Sequence, residues 1–246
     1  FYCLFSFSLG LPFSFKMLSL FTGGGHSMMG VLFGGFMGAA IAEKLLHIKA
    51  FRVMDIFAPA ALGFVFFARL GEMTVPDFGI SRSLVYEFST KLPIAINGEY
   101  DSCFATYILE ALAAVILLGI LLRDVKKQQK EGNTFVLFLL LFGASQIILE
   151  SLRYDRHISY SFIRIQQVMA ILFLTGGLLM AAKRAGHGKG KIWLLLGMMV
   201  LISGIGIGLE FAIDRTEINR YLLYFIYVLL VAFPVYLGLK FRKKGA

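Results

Sequence analysis

The stretch TFVLFLLLFGASQIILESLRYD (134–155) decides the fold class. It carries no charge from Thr134 to Leu149 and then closes on Glu150, Arg153 and Asp155. About 20 apolar residues in helical form cross a bilayer. Runs of this kind recur outward from it, at about 2–21, 27–45, 53–71, 103–123, 134–152, 162–182, 192–213 and 221–239. A spanning segment must satisfy its backbone internally, so the runs are read as helices. The prediction is an all-α polytopic membrane helix bundle of about eight spans.

Composition agrees. Of 246 residues, 58% are hydrophobic, 25 are Phe and 16% are charged, against roughly 25% charged in a soluble domain. Mean hydropathy is +0.78. These values exclude a nucleic-acid binder, a disordered tail and a disulfide scaffold. The two cysteines, Cys3 and Cys103, lie in apolar sequence and read as small core residues.

The formal charge of +9 is concentrated between spans. Lys44, Lys49 and Arg52 follow the second span, and Arg123, Lys126, Lys127 and Lys130 the fourth. Lys183, Arg184, Lys189 and Lys191 follow the sixth, and Lys240, Arg242, Lys243 and Lys244 the eighth. Every second connection is basic, which predicts that side, and the C-terminus, to be cytoplasmic. The one long connection, 72–102, is polar and predicts a small outward-facing cap. The chain starts at Phe1 inside an apolar run, with no positive n-region and no cleavage site. The expectation is a true first span in a chain cut at its N-terminus.

Ionisable groups at membrane depth are costly, and each is a functional candidate. Asp55 reads as a charge favoured by its own helix dipole. Arg69 and Glu72 end the third span one turn apart, Glu110 lies within the fourth, and Glu150 and Arg153 end the fifth. One reading is a set of structural ion pairs closing a bundle. The other is a polar cavity in which arginines hold a phosphate, a task suited to the planar guanidinium fork. Gly30, Gly34 and Gly38 share a helix face and predict close packing of the small-xxx-small type.

Four segments carry a resemblance to the prolipoprotein diacylglyceryl transferases, a family of bacterial inner-membrane enzymes. GGHSMMGVLFGG (24–35) is similar to G-G-x-S-x-H-G-G-x-x-G-G. DIFAPAALGFVFFARLGE (55–72) is similar to D-x-x-A-P-x-x-x-x-x-x-x-G-R-x-G-N. ATYILEALAAVIL (105–117) resembles P-[ST]-Q-L-Y-E-x, and GASQIILESLRYD (143–155) resembles G-x-x-R-x-x-x-E-x-x-R-x-x-D. Gln166-Gln167 stands where the family has a Ser-x-x-Gln signature. The resemblance covers roughly residues 5–182. It implies a diacylglyceryl-transferase-like domain over 1–182, with 183–246 an added transmembrane hairpin and basic tail.

The resemblance implies a transferase that moves diacylglyceryl from phosphatidylglycerol to the lipobox cysteine thiol of a prolipoprotein. Its partners are then phosphatidylglycerol, the prolipoprotein signal peptide and the membrane, with no nucleic acid, no cofactor and no metal. Arg69, Arg153, Gly71 and Glu110 match the positions that surround the lipid phosphate. The departures fall on proton handling. The family histidine falls on Met29, three residues after His26, and the signature's first Asn falls on Glu72. Its second Asn falls on Val75, its Gly on Pro76 and its Glu on Asp77. The candidate bases are therefore His26, Asp77 and Glu150. A re-purposed member binding an anionic lipid is the first alternative. A small secondary transporter is the second, although Pro12, Pro59 and Pro234 show no symmetric placement.

If His26 is the proton acceptor, His26→Ala loses transfer activity in a lipoprotein modification assay; full activity places the acceptor elsewhere.

Overall fold

The computed structural model describes residues 28–74, 79–84, 87–97, 102–127, 130–154, 159–160, 163–216 and 218–245. The expected first span, 2–21, lies outside them. Contacts divide the chain into two compact units, residues 1–54 and 55–246.

In the first unit, α1 (Met28–Leu46) is followed by a short turn in which His47 takes a left-handed conformation, φ 54°. The turn closes when Arg52 N–H donates to the Lys49 carbonyl at 3.0 Å, as α2 (Ala50–Gly71) begins.

The second unit begins within α2, which ends in a 3-10 turn, Glu72–Thr74. The cap follows. It holds the one-turn helix α3 (Glu87–Thr90) and an antiparallel hairpin of β1 (Ala95–Asn97) and β2 (Ser102–Phe104), with Ile96 opposite Cys103. The fourth expected span, set at 103–123, is corrected here. Its first residues pair as β2, and α4 runs Thr106–Val125. Cys103 is accordingly a half-buried cap residue, not a membrane-core one.

Beyond α4 come α5 (Asn133–Leu152), the short pair β3 (Ser159–Tyr160) and β4 (Ile163–Arg164), and α6 (Ile165–Arg184). A long hairpin of α7 (Lys189–Arg215) and α8 (Arg220–Gly245) closes the chain. The long helices α1, α2 and α4–α8 overlap the ranges of seven of the eight expected spans. Among the described residues, five helical segments are long and apolar enough to cross a membrane: Ala50–Thr74, Asn133–Leu152, Gln166–Arg184, Lys189–Arg215 and Arg220–Gly245.

The packing centre is α5, which touches α4, α6 and α8. In its most apolar window 67% is buried, against 17% for α7. The outer faces of α7 and α8 leave Trp193, Val200, Phe211 and Phe225 exposed, a surface suited to acyl chains. Lipid tails are as apolar as leucine, so membrane helices are joined by close packing and polar contacts. Both occur here. A Cβ at Gly143 would lie 2.7 Å from the Leu174 backbone nitrogen, and one at Gly177 would lie 2.9 Å from Leu139 Cβ. These two glycines let α5 and α6 approach closely. Phe138 and Phe142 stack within the same core, 5.0 Å between centroids.

Among the described residues no atom lies within 4 Å of a Cβ built at Gly34 or Gly38, and the residues before Met28 lie outside that comparison. One sequence expectation changes. Asp55 caps a different helix from its own. It accepts the N–H groups of Gly132 (2.5 Å) and Phe135 (2.8 Å), two donors at the start of α5. At the same end, Arg242 of α8 donates to Asn133 at 3.1 Å and pairs with Asp124, which also accepts the Thr134 hydroxyl at 3.1 Å.

Gly143→Ala is expected to destabilise the protein by about 1–3 kcal/mol through overpacking. Unfolding in detergent micelles checks the loss.

Candidate functional site

Five ionisable side chains meet at the capped end of the second unit. Arg69 comes from the last turn of α2, and Glu72 from the 3-10 turn that follows it. Glu110 lies on the second turn of α4, Glu150 near the end of α5, and Arg153 immediately after it. Arg153 leaves the helix in an extended conformation, φ −70° and ψ 143°. The cap fixes this exit. Ser81 bridges to Arg153, Tyr154 N–H donates to the Ile80 carbonyl at 2.8 Å, and the Arg164 guanidinium donates to the Arg153 carbonyl.

Glu110 bridges the two guanidiniums. Its Oε1 accepts from Arg153 Nη1 at 2.9 Å, and its Oε2 lies 2.5 Å from Arg69 Nε as an ion pair without hydrogen-bond alignment. Glu72 bridges them again. Its Oε1 accepts from Arg69 Nη1, and its Oε2 lies 3.0 Å from Arg153 Nη2. Glu150 Oε1 accepts from Arg69 Nη2 at 3.3 Å. Arg69 is 2% exposed, and Arg153, Glu110 and Glu150 are 0% exposed. The Glu72 side chain, at 17%, is the most open of the five.

Two cations therefore face three carboxylates in a setting that water barely reaches. Ion pairing is strong at low dielectric, but removing charges from water is costly. Each guanidinium is compensated by several acceptors, which is how such a cluster survives burial. The balance is acidic, and the carboxylates already occupy the forks that a phosphate would use.

The sequence candidates among the described residues can be placed against this cluster. Arg69, Glu110, Glu150 and Arg153 converge. Gly71 is exposed at the end of α2, with open space around it and its carbonyl accepting the Thr74 hydroxyl at 2.8 Å. His26 and Asp77 lie outside the described residues. Glu72, read in the sequence as a charge one turn from Arg69 and as a replaced Asn, joins both arginines.

Three further residues were not singled out. Gly79 has φ 67°, and a Cβ there would fall 2.8 Å from Glu72 Oε2 and 2.9 Å from Tyr107 Cβ; only glycine lets the cap close over Glu72. Arg164 clamps the backbone of Arg153. Gln146, one helical turn before Glu150 and 1% exposed, stands where the fourth motif has its first Arg. Among the described residues, Gln146 Oε1 and Glu150 Oε2 are buried without a hydrogen-bond partner. The motif pattern itself held the signal for Gln146; nothing local marked Gly79 or Arg164. No group of three or more potential metal ligands occurs among the described residues.

Comparison with known proteins supplies the context. Residues 1–183 match the family described as prolipoprotein diacylglyceryl transferase. The chain is similar to the phosphatidylglycerol–prolipoprotein diacylglyceryl transferases of Staphylococcus aureus strains Newman and JH9. Each is 30% identical over 158 residues, covering 61% of this chain and 56% of the relative. The match thus spans little more than half the length of those relatives. No solved structure matches.

Proposed function

The chain belongs to the prolipoprotein diacylglyceryl transferase family, and from that premise we propose that it moves diacylglyceryl from phosphatidylglycerol to a lipobox cysteine thiol. The observation that carries the proposal is the meeting of Arg69 and Arg153, from separate parts of the chain, on the shared carboxylate of Glu110. In this reading the enzyme lies in the bacterial inner membrane, with its capped end outward and its C-terminus cytoplasmic. Phosphatidylglycerol and the prolipoprotein signal peptide reach the site from the membrane.

The proposed chemistry needs three things from the chain. The lipid phosphate must sit between Arg69 and Arg153. Glu72 is the residue that yields, because it is the most exposed member and it lies on a short 3-10 turn rather than inside a helix. The incoming thiol sulfur then forms a bond to the terminal glycerol carbon of the diacylglyceryl group. The carbon–oxygen bond to phosphate breaks, and its electron pair leaves with glycerol phosphate. The guanidiniums stabilise the charge gathering on that leaving group. The thiol proton goes to a base, for which His26, Asp77 and Glu150 are the proposed candidates. Glu150 has one buried oxygen without a hydrogen-bond partner among the described residues. A thiol with an ordinary pKa near 8.5 asks only modest help.

A second reading is favoured by one specific observation. Glu72 takes up both arginines where the family signature has Asn, as a re-purposed, non-transferring member would have it. Expression in cells depleted of their own transferase separates the two readings. Under the first, the chain restores diacylglyceryl modification of a reporter lipoprotein, and Arg153→Gln abolishes it. Glu72→Asn, by removing the competing carboxylate, should raise apparent affinity for phosphatidylglycerol by roughly tenfold, the equivalent of about 1.4 kcal/mol. Correctly inserted protein that modifies nothing, with or without Glu72→Asn, establishes the second reading.

A further inference from the structure

A second pocket at the capped end carries chemistry that the cluster does not use. Its volume is about 170 Å³, and it lies between cap residues 81–84, Phe104, the end of α5 at Leu152 and the first turn of α8. Arg82 and Arg220 both line it, and among the described residues no carboxylate does. Arg220 and the α8 turn stand beyond residues 1–183, the part of the chain that matches the family.

The donors here are only partly spent. Arg82 gives one Nη to Asp214 and lays its guanidinium 4.8 Å from the centre of the Tyr154 ring. Its Nε is buried without a hydrogen-bond partner among the described residues. Arg220 makes no hydrogen bond or ion pair among the described residues. Burying a donor unsatisfied is unfavourable, and an anion entering this pocket would remove that cost. Two of the lining hydroxyls are already committed. Tyr221 pairs with Ser89, and Tyr224 donates to the Ser151 carbonyl at 3.1 Å. The lining side-chain donors left are Arg82 Nε, the Arg220 guanidinium and the Ser83 hydroxyl. Leu84, Phe104 and Leu152 supply the rest of the lining, which is mainly apolar.

The contrast with the first site is electrostatic. Arg69 and Arg153 are neutralised by three carboxylates of the chain itself. In the second pocket, among the described residues, Arg82 pairs with Asp214 from outside the lining and feels Glu210 at longer range, while the Arg220 side chain has no ion-pair partner. Paired guanidinium forks over an apolar wall fit a phosphate that carries a hydrocarbon body. We propose that this pocket binds the phosphate of an anionic lipid headgroup, as a site separate from the Arg69–Arg153 cluster. The binding is non-covalent and requires no reaction. Free inorganic phosphate shares the recognised group, and the test below distinguishes the two.

The test is native mass spectrometry of the full chain, released from nanodiscs of phosphatidylcholine with phosphatidylglycerol as the anionic probe. The parent should retain one more phosphatidylglycerol per chain than Arg220→Gln. The apparent affinity for that lipid should fall about tenfold or more, the scale of a lost charge-assisted contact. Arg220→Glu should remove the extra lipid completely. If excess inorganic phosphate displaces the lipid, the pocket also takes the free ion; if it does not, the lipid body is required. Retention of the full lipid count by both Arg220 variants would overturn the site.

Discussion

The capped end of this protein is organised around one electrostatic constraint: two guanidiniums and three carboxylates must be buried together or not at all. Arg69, Glu110, Glu150 and Arg153 are almost completely withdrawn from solvent, and each has a partner of opposite sign within the cluster. A lone charge at that depth would be prohibitive, so the ends of α2, α4 and α5 must arrive in register. The cap serves the same end. Its bridge to Arg153, the Arg164 clamp and the left-handed Gly79 hold the chain segments from which the charges project.

This constraint makes the chemistry conditional. In the proposed reading the substrate is an anionic phospholipid, whose phosphate the two arginines on separate segments would grip. Here the grip is already filled. Glu72 spans both guanidiniums at a position where Asn would have left their donors open. An incoming phosphate exchanges one set of charge-assisted bonds for another, so the net gain is the difference between them. Glu72 differs from Glu110 and Glu150 in being more exposed and in lying on a 3-10 turn rather than within a long helix. Movement is least costly at that residue. The second arginine pocket, by contrast, holds donors that nothing in the described chain satisfies.

Much of this was legible in the sequence, and the failures have physical causes. The run 134–152 appears as Asn133–Leu152 because length and unbroken apolarity suffice to define a span. The start expected at 103 failed because Cys103 and Phe104 are as compatible with a strand as with a helix, and only pairing with Ala95 and Ile96 decides between them. Close approaches occur at Gly143, Gly177 and Gly238, none of which the glycine spacing in the sequence had marked. Small residues permit contact, but only tertiary structure supplies a neighbour. Asp55 was read through its own helix, while its acceptors serve the first turn of α5. At the site, charge spacing and motif order singled out Arg69, Glu110, Glu150 and Arg153. They did not reveal that Glu72 joins both arginines, because that depends on how α2 ends.

The most direct measurement is a double-mutant cycle on Glu110 and Arg153, read as unfolding free energy in detergent micelles. Arg153→Met alone should cost about 3–5 kcal/mol, because it leaves a buried carboxylate undercompensated. Combined with Glu110→Gln, the loss should fall short of the sum of the single losses by about 2 kcal/mol. Additive losses would mean that the two groups do not share one buried cluster, and the phosphate grip built on it would go with it.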